Sequence, residues 1–64
     1  MELNDAYAII DSMVGSVDYS RNPARKMTSI VDVLEAINLY FDEYSEKAQL
    51  AYFLVARDIR KRIG

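Results

Sequence analysis

Neither cysteine nor histidine occurs in this chain of 64 residues. Without cysteine there is no disulfide framework and no thiolate metal site. Without histidine the commonest metal ligand and the commonest general base are both missing. The serines have no base in a recognisable arrangement, and no glycine-rich phosphate loop is present. We therefore expect a protein that is not an enzyme and that uses neither a metal nor a cofactor.

Glycine and proline are scarce, and they occur only at Gly15, Pro23 and Gly64. From residue 24 to residue 63 no helix breaker interrupts the chain, and the apolar residues follow a helical period. This distribution predicts an all-α fold. A chain of this length buries only about 60% of the surface that its unfolded form exposes, so two cores would not fit. We expect a single helical domain over residues 1–64.

Long apolar runs are lacking as well, since the longest is residues 50–56. A membrane-spanning helix needs about 20 such residues. The first five residues carry acid where a secretory signal carries base. These features predict a soluble, cytoplasmic protein that does not enter a membrane. The net charge of -2 argues against wholesale coating of nucleic acid.

Three segments show helical spacing of apolar residues, at about 4–15, 28–43 and 46–62. Asn4 is the predicted cap of the first helix, and Gly15 is its predicted stop. The second helix has two candidate starts. One is Asn22 followed by Pro23, and the other is Thr28 or Ser29, with Asp32 approximating a capping box.

The join between the second and third helices contains no glycine, so one continuous helix over residues 28–62 is an alternative. Such a helix would be ~50 Å long and could not bury itself in a monomer. We expect instead a break at Ser45, which would cap the third helix, and an antiparallel hairpin within a two- or three-helix domain. The hairpin would place the basic end of the third helix over Asp32 and Glu35.

The third helix carries apolar residues on two nearly opposed sides. One broad side contains Ala48, Ala51, Tyr52, Val55, Ala56, Ile59 and Ile63. Two opposed apolar sides indicate that two partners cover the helix. Either the first helix folds back over the second side, or another chain covers it. The predicted partner-binding residues on that side are Leu50, Phe53, Leu54, Arg57 and Lys61.

These patterns support two functional hypotheses. The first is a small non-enzymatic interaction module that modulates a protein partner through an apolar helix face and assembles as a homodimeric helical bundle. The alternative is a homodimeric DNA-binding transcriptional regulator that uses the basic segments 21–26 and 57–62. Its predicted nucleic-acid contacts are Arg21, Arg25, Lys26, Arg60 and Arg62. No motif in the chain identifies a family, a specific partner or a biological process.

Overall fold

Three α-helices make up most of the molecule in the computed structural model, which describes residues 1–18 and 25–63. They are α1 (Leu3–Ser12), α2 (Ile30–Leu39) and α3 (Glu46–Ile63), with a 3-10 helix at Phe41–Glu43 between α2 and α3. The predicted all-helical fold class is confirmed. Within the described ranges, none of these helices has the length and apolar character needed to cross a membrane.

Helix α1 is shorter than the spacing of apolar residues suggested. It starts one residue before the predicted cap Asn4, and Glu2 occupies the cap position without a side-chain hydrogen bond. Beyond Ser12 the chain forms a turn that leads to Gly15, whose φ angle is 91°. Glycine adopts this conformation without steric cost, so Gly15 shapes the turn after the helix and does not cap it directly.

A short antiparallel pairing of backbone joins the segment after α1 to the segment before α2. Its hydrogen bonds run from Asp18 N–H to Arg25 O at 2.8 Å and from Met27 N–H to Ser16 O at 3.0 Å. Residues 25–27 are therefore extended, which removes the candidate helix start ahead of them. Asn22 and Pro23 themselves lie outside the described residues.

The start of α2 is fixed by two side chains that bond in opposite directions. The Ser29 hydroxyl accepts a hydrogen bond from the Asp32 N–H at 3.3 Å. The Asp32 carboxylate accepts from the Thr28 hydroxyl at 2.7 Å and from the Thr28 N–H at 2.9 Å. The predicted cap at Ser29 is thus confirmed, although Asp32 reaches back to Thr28 where a standard capping box would bond the cap residue itself.

Helices α2 and α3 form the predicted antiparallel hairpin. The Gln49 side-chain amide donates to the Phe41 carbonyl at 2.7 Å, and the Tyr52 hydroxyl donates to Asn38 Oδ1 at 3.1 Å. Moving forward along α3 from Gln49 to Tyr52 therefore moves backward along the preceding segment from Phe41 to Asn38, as an antiparallel hairpin requires. The Ser45 hydroxyl accepts from the Ala48 N–H at 3.3 Å. Two helices separated at Ser45 are therefore confirmed, but α2 ends at Leu39 and not at residue 43.

The core lies where α1 and α2 both pack against α3, and α1 makes the larger of the two contacts with it. Its α3 residues are small or medium in size, which lets the neighbouring helices approach closely. The buried apolar residues are Ala6, Ile10, Met27, Val33, Ala36, Ile37, Tyr44, Ala48, Ala51 and Val55.

We predict that Gly15→Ala destabilises the protein through its backbone alone. No atom lies within 4 Å of the position that a Cβ would take, so crowding adds nothing to the cost. Holding a residue with a Cβ in this left-handed conformation costs about 1–2 kcal/mol. Gly15→Asn should cost less, because asparagine tolerates the conformation better. Urea unfolding of the three proteins measures both effects, and equal stability of Gly15→Ala and wild type would contradict them.

We predict that the cap of α2 makes the stability depend on pH. Hydrogen bonds from the Thr28 hydroxyl and then the Thr28 N–H hold the pKa of Asp32 below its ordinary value of 3.8. Because the folded pKa is the lower one, the stabilisation is present above pH 3.8 and is lost as pH falls through the folded pKa. The Tm of Asp32→Asn should therefore lie below wild type at neutral pH, and the gap should close in acid.

Asp11→Asn serves as the control for this measurement, because the exposed Asp11 carboxylate makes no side-chain hydrogen bond among the described residues. Its Tm should stay parallel to that of wild type across the same pH range. A gap between wild type and Asp32→Asn that stays constant below pH 3.8 would show that ionised Asp32 does not stabilise the cap.

Candidate protein-binding face

One side of α3 faces away from both other helices, and we call it the outer face. A step of 100° per residue puts its members on one stripe of the helix. All six are exposed to solvent: Glu46, Leu50, Phe53, Arg57, Arg60 and Lys61. Four of the five residues predicted to bind a partner belong to this stripe. The structure therefore brings them together on one surface.

The middle of the outer face is apolar. Phe53 is 56% exposed and Leu50 is 47% exposed, whereas Val55 on the opposite side of the helix is 0% exposed. Covering a side chain of this size completely contributes roughly 1.5–3 kcal/mol. About half of that free energy is still to be gained at both positions, so this part of the face favours contact with another apolar surface.

The Phe53 ring is held in position although it is exposed. Its centroid lies 5.3 Å from that of Phe41 and 5.4 Å from that of Tyr52, and the latter two centroids are 6.2 Å apart. The Tyr52 hydroxyl is itself bonded to Asn38, which fixes one member of the cluster. A ring restrained in this way loses little conformational entropy on binding, which favours its use as an anchor.

Charges of opposite sign lie at the two ends of the outer face. Arg57, Arg60 and Lys61 follow the apolar centre towards the end of α3. Glu46 precedes the centre, and Asp42 and Glu43 lie in the 3-10 helix before α3. None of these six side chains forms an ion pair with another described residue. Their charges are therefore available to an incoming surface.

Leu54 lies at the edge of this region and is half-buried against the core. It lines a shallow hollow between α1 and α3 together with Leu3 and Asp58, and the outer-face residues Arg57 and Lys61 border the same hollow. On this side α1 does fold over α3, which was the alternative to coverage by another chain. Leu54 therefore contributes to the contact between two helices of the same molecule, and the outer face proper does not include it.

A hydrogen-bond network fastens α1 to α3 beside Leu54. The Tyr7 hydroxyl donates to Asp58 Oδ2 at 2.5 Å, and Arg62 Nε donates to the same oxygen at 3.0 Å. The bond to Asp58 is the main reason that the pKa of Tyr7 lies above its usual 10.0, with desolvation second and the negative charge of Asp58 third. The nearby Arg62 charge acts in the opposite direction. Arg62 is therefore paired with a carboxylate of the same molecule.

Arg25 also forms ion pairs within the fold. It pairs with the carboxylates that the sequence analysis assigned to the basic end of α3. Its guanidinium lies 3.7 Å from Asp18, 3.9 Å from Asp32 and 3.7 Å from Glu35. The expected pairing of Asp32 and Glu35 with the basic end of α3 is not observed. Helical periodicity gave no signal for this arrangement, because it arises from the extended segment before α2.

Among the described residues, the structure does not bring the remaining predicted nucleic-acid contacts together into one basic surface. Lys26 and Arg60 are exposed, and Arg21 lies outside the described residues. Within residues 1–18 and 25–63, no cluster of three residues with metal-ligating side chains is suited to holding an ion.

Comparison of the chain with protein-family models, with curated proteins and with solved structures gave no match.

We predict that Leu54 and Leu50 respond differently to the same substitution. Leu54→Asp places a charge against the core and should destabilise the monomer by about 2–3 kcal/mol. Leu50→Asp places it on the exposed face and should change the stability of the monomer by less than about 0.5 kcal/mol. Denaturant unfolding in a dilute, monomeric sample measures both. Equal losses of stability would contradict the distinction between the outer face and the α1 contact.

Proposed function

We propose that the protein is a non-enzymatic interaction module that binds another protein surface through the outer face of α3. The observation that carries this function is the state of Phe53, a large apolar ring that is 56% exposed yet held by two aromatic neighbours. An ordered, exposed aromatic ring is the kind of residue that supplies much of the binding energy at protein interfaces.

The surroundings of Phe53 fit the anatomy of such an interface. An apolar centre is flanked by charged groups at its rim, which is the usual distribution of residues in protein contacts. Arg57 and Lys61 reach beyond the apolar centre without an ion-pair partner among the described residues. A matching protein surface would have an apolar patch next to carboxylates, because such a surface satisfies both parts of the face.

The shifted pKa values are explained by contacts that hold the fold together. Shifts at Tyr7 and Asp32 are each caused mainly by a hydrogen bond that fastens a helix, to Asp58 in one case and to Thr28 in the other. Perturbed groups in an active site are expected to converge on a cleft. These two groups instead serve separate structural contacts.

The charge distribution favours a protein over DNA as the partner. Two of the cations suggested for phosphate contacts, Arg25 and Arg62, already bond carboxylates of the same molecule. The cations of the outer face lie on the same stripe of α3 as the acidic Glu46, at the opposite end of that stripe. A duplex lying along that stripe would meet repulsion at the acidic end.

Site-specific photo-crosslinking in cells that naturally make the protein tests the proposed function. A photoreactive phenylalanine analogue replaces Phe53 in one variant and the exposed Asp11 of α1 in a matched control. We expect a discrete covalent adduct with a polypeptide from position 53 and none from position 11. The polypeptide in that adduct, purified, should bind at least about tenfold more weakly to Phe53→Asp, whereas Asp11→Lys should bind like wild type.

Two outcomes would contradict the proposal. The first is that position 53 gives no adduct with any polypeptide. The second is that both positions give the same adducts, because contact would then be independent of the outer face. An adduct with nucleic acid at position 53, whose yield falls steeply with salt, would favour the DNA-binding alternative.

A further inference from the structure

We propose that the surface covering the outer face is the outer face of a second copy of the same chain, with the two α3 helices antiparallel about a two-fold axis. This inference rests on the proposed function and names its partner. It follows from the order of chemical groups along the face, which is acidic at Glu46, apolar at Leu50 and Phe53, and basic from Arg57 onward.

A two-fold rotation reverses that order, so the face is complementary to itself. The acidic end of one copy meets the basic end of the other, and the apolar centres meet each other. A two-fold interface requires this property, because the same patch must serve both sides of the contact. A parallel arrangement would instead place Arg57 beside the partner's Arg57 and Glu46 beside the partner's Glu46.

The spacing of the residues also defines a register. If Leu50 lies opposite the partner's Phe53, the four-residue step outward brings Arg57 opposite the partner's Glu46. Steps of three and four keep neighbours on one side of a helix, so the apolar contact and the ion pairs form in the same arrangement.

Each stabilising contact in this arrangement occurs twice, because the two-fold axis generates a symmetric copy of it. Both Phe53 rings and both Leu50 side chains leave water. Glu46 and Arg57, which have no ion-pair partner among the described residues, each obtain one. A chain of this size has a thin margin of stability, and association is one of the usual ways in which small domains increase it.

A charge-exchange experiment tests the partner and the register together. Sedimentation equilibrium is measured at ~50 mM salt for wild type, Glu46→Lys, Arg57→Glu, the double variant, and an equimolar mixture of the two single variants. Wild type should approach twice the mass of one 7.4 kDa chain as its concentration rises. Each single variant should dimerise at least about tenfold more weakly, since like charges then face each other at two symmetric places.

The mixture and the double variant carry the discriminating results. In the mixture, Arg57 of one chain faces an unaltered Glu46 and the two new charges face each other, so a heterodimer should form where neither variant alone dimerises. The double variant should dimerise like wild type. Asp11→Lys and Lys26→Glu make the same changes in net charge elsewhere and should leave dimerisation unchanged. Recovery in the mixture also shows that both single variants are folded.

The opposing outcomes separate this inference from the proposed function. A wild-type chain that stays monomeric up to ~1 mM overturns the second copy, whereas an adduct of position 53 with a different polypeptide would leave the proposed function intact. A wild-type dimer that Leu50→Asp disrupts, without recovery in the mixture, overturns the register alone. A dimer that neither Leu50→Asp nor the charge variants affect overturns the inference, because another surface must then form it.

Discussion

The rest of the structure depends on the packing of two helices against the same buried strip of α3. The strip consists of Ala48, Ala51 and Val55, and all three side chains are buried. Because these side chains are short, the backbones of α1 and α2 can approach α3 on adjoining sides. Both neighbours lie on the same half of the helix. The other half is therefore left to solvent, and the outer face is a direct consequence of how the core is built.

The elements that local sequence determines could be predicted well. Ser29 and Ser45 each cap a helix, and each does so through a hydrogen bond between residues three positions apart. The antiparallel hairpin follows from the break at Ser45, since a short connection leaves adjacent helices few other ways to bury their apolar sides. The exposed centre of the outer face was also visible from the helical spacing of Leu50 and Phe53.

The features that could not be predicted depend on contacts across the loop between α1 and α2. Helical periodicity carries no information about the pairing of residues 16–18 with residues 25–27, because that pairing joins two short extended segments. The position of Arg25 follows from the same pairing. The surroundings of Leu54 could not be predicted for a different reason. Its angular position borders both the exposed stripe and the α1 contact, and only the crossing of α1 over α3 decides between them.

Arg25 links the extended segment after α1 to the start of α2. Its guanidinium lies close to Asp18 in the first extended segment and to Asp32 at the cap of α2, while its backbone carbonyl accepts the Asp18 N–H. The extended pairing and the first turn of α2 are therefore joined through one side chain. This shared side chain favours local opening of the two elements together. For the same reason, substitutions at positions 18, 25 and 32 have effects that do not add independently.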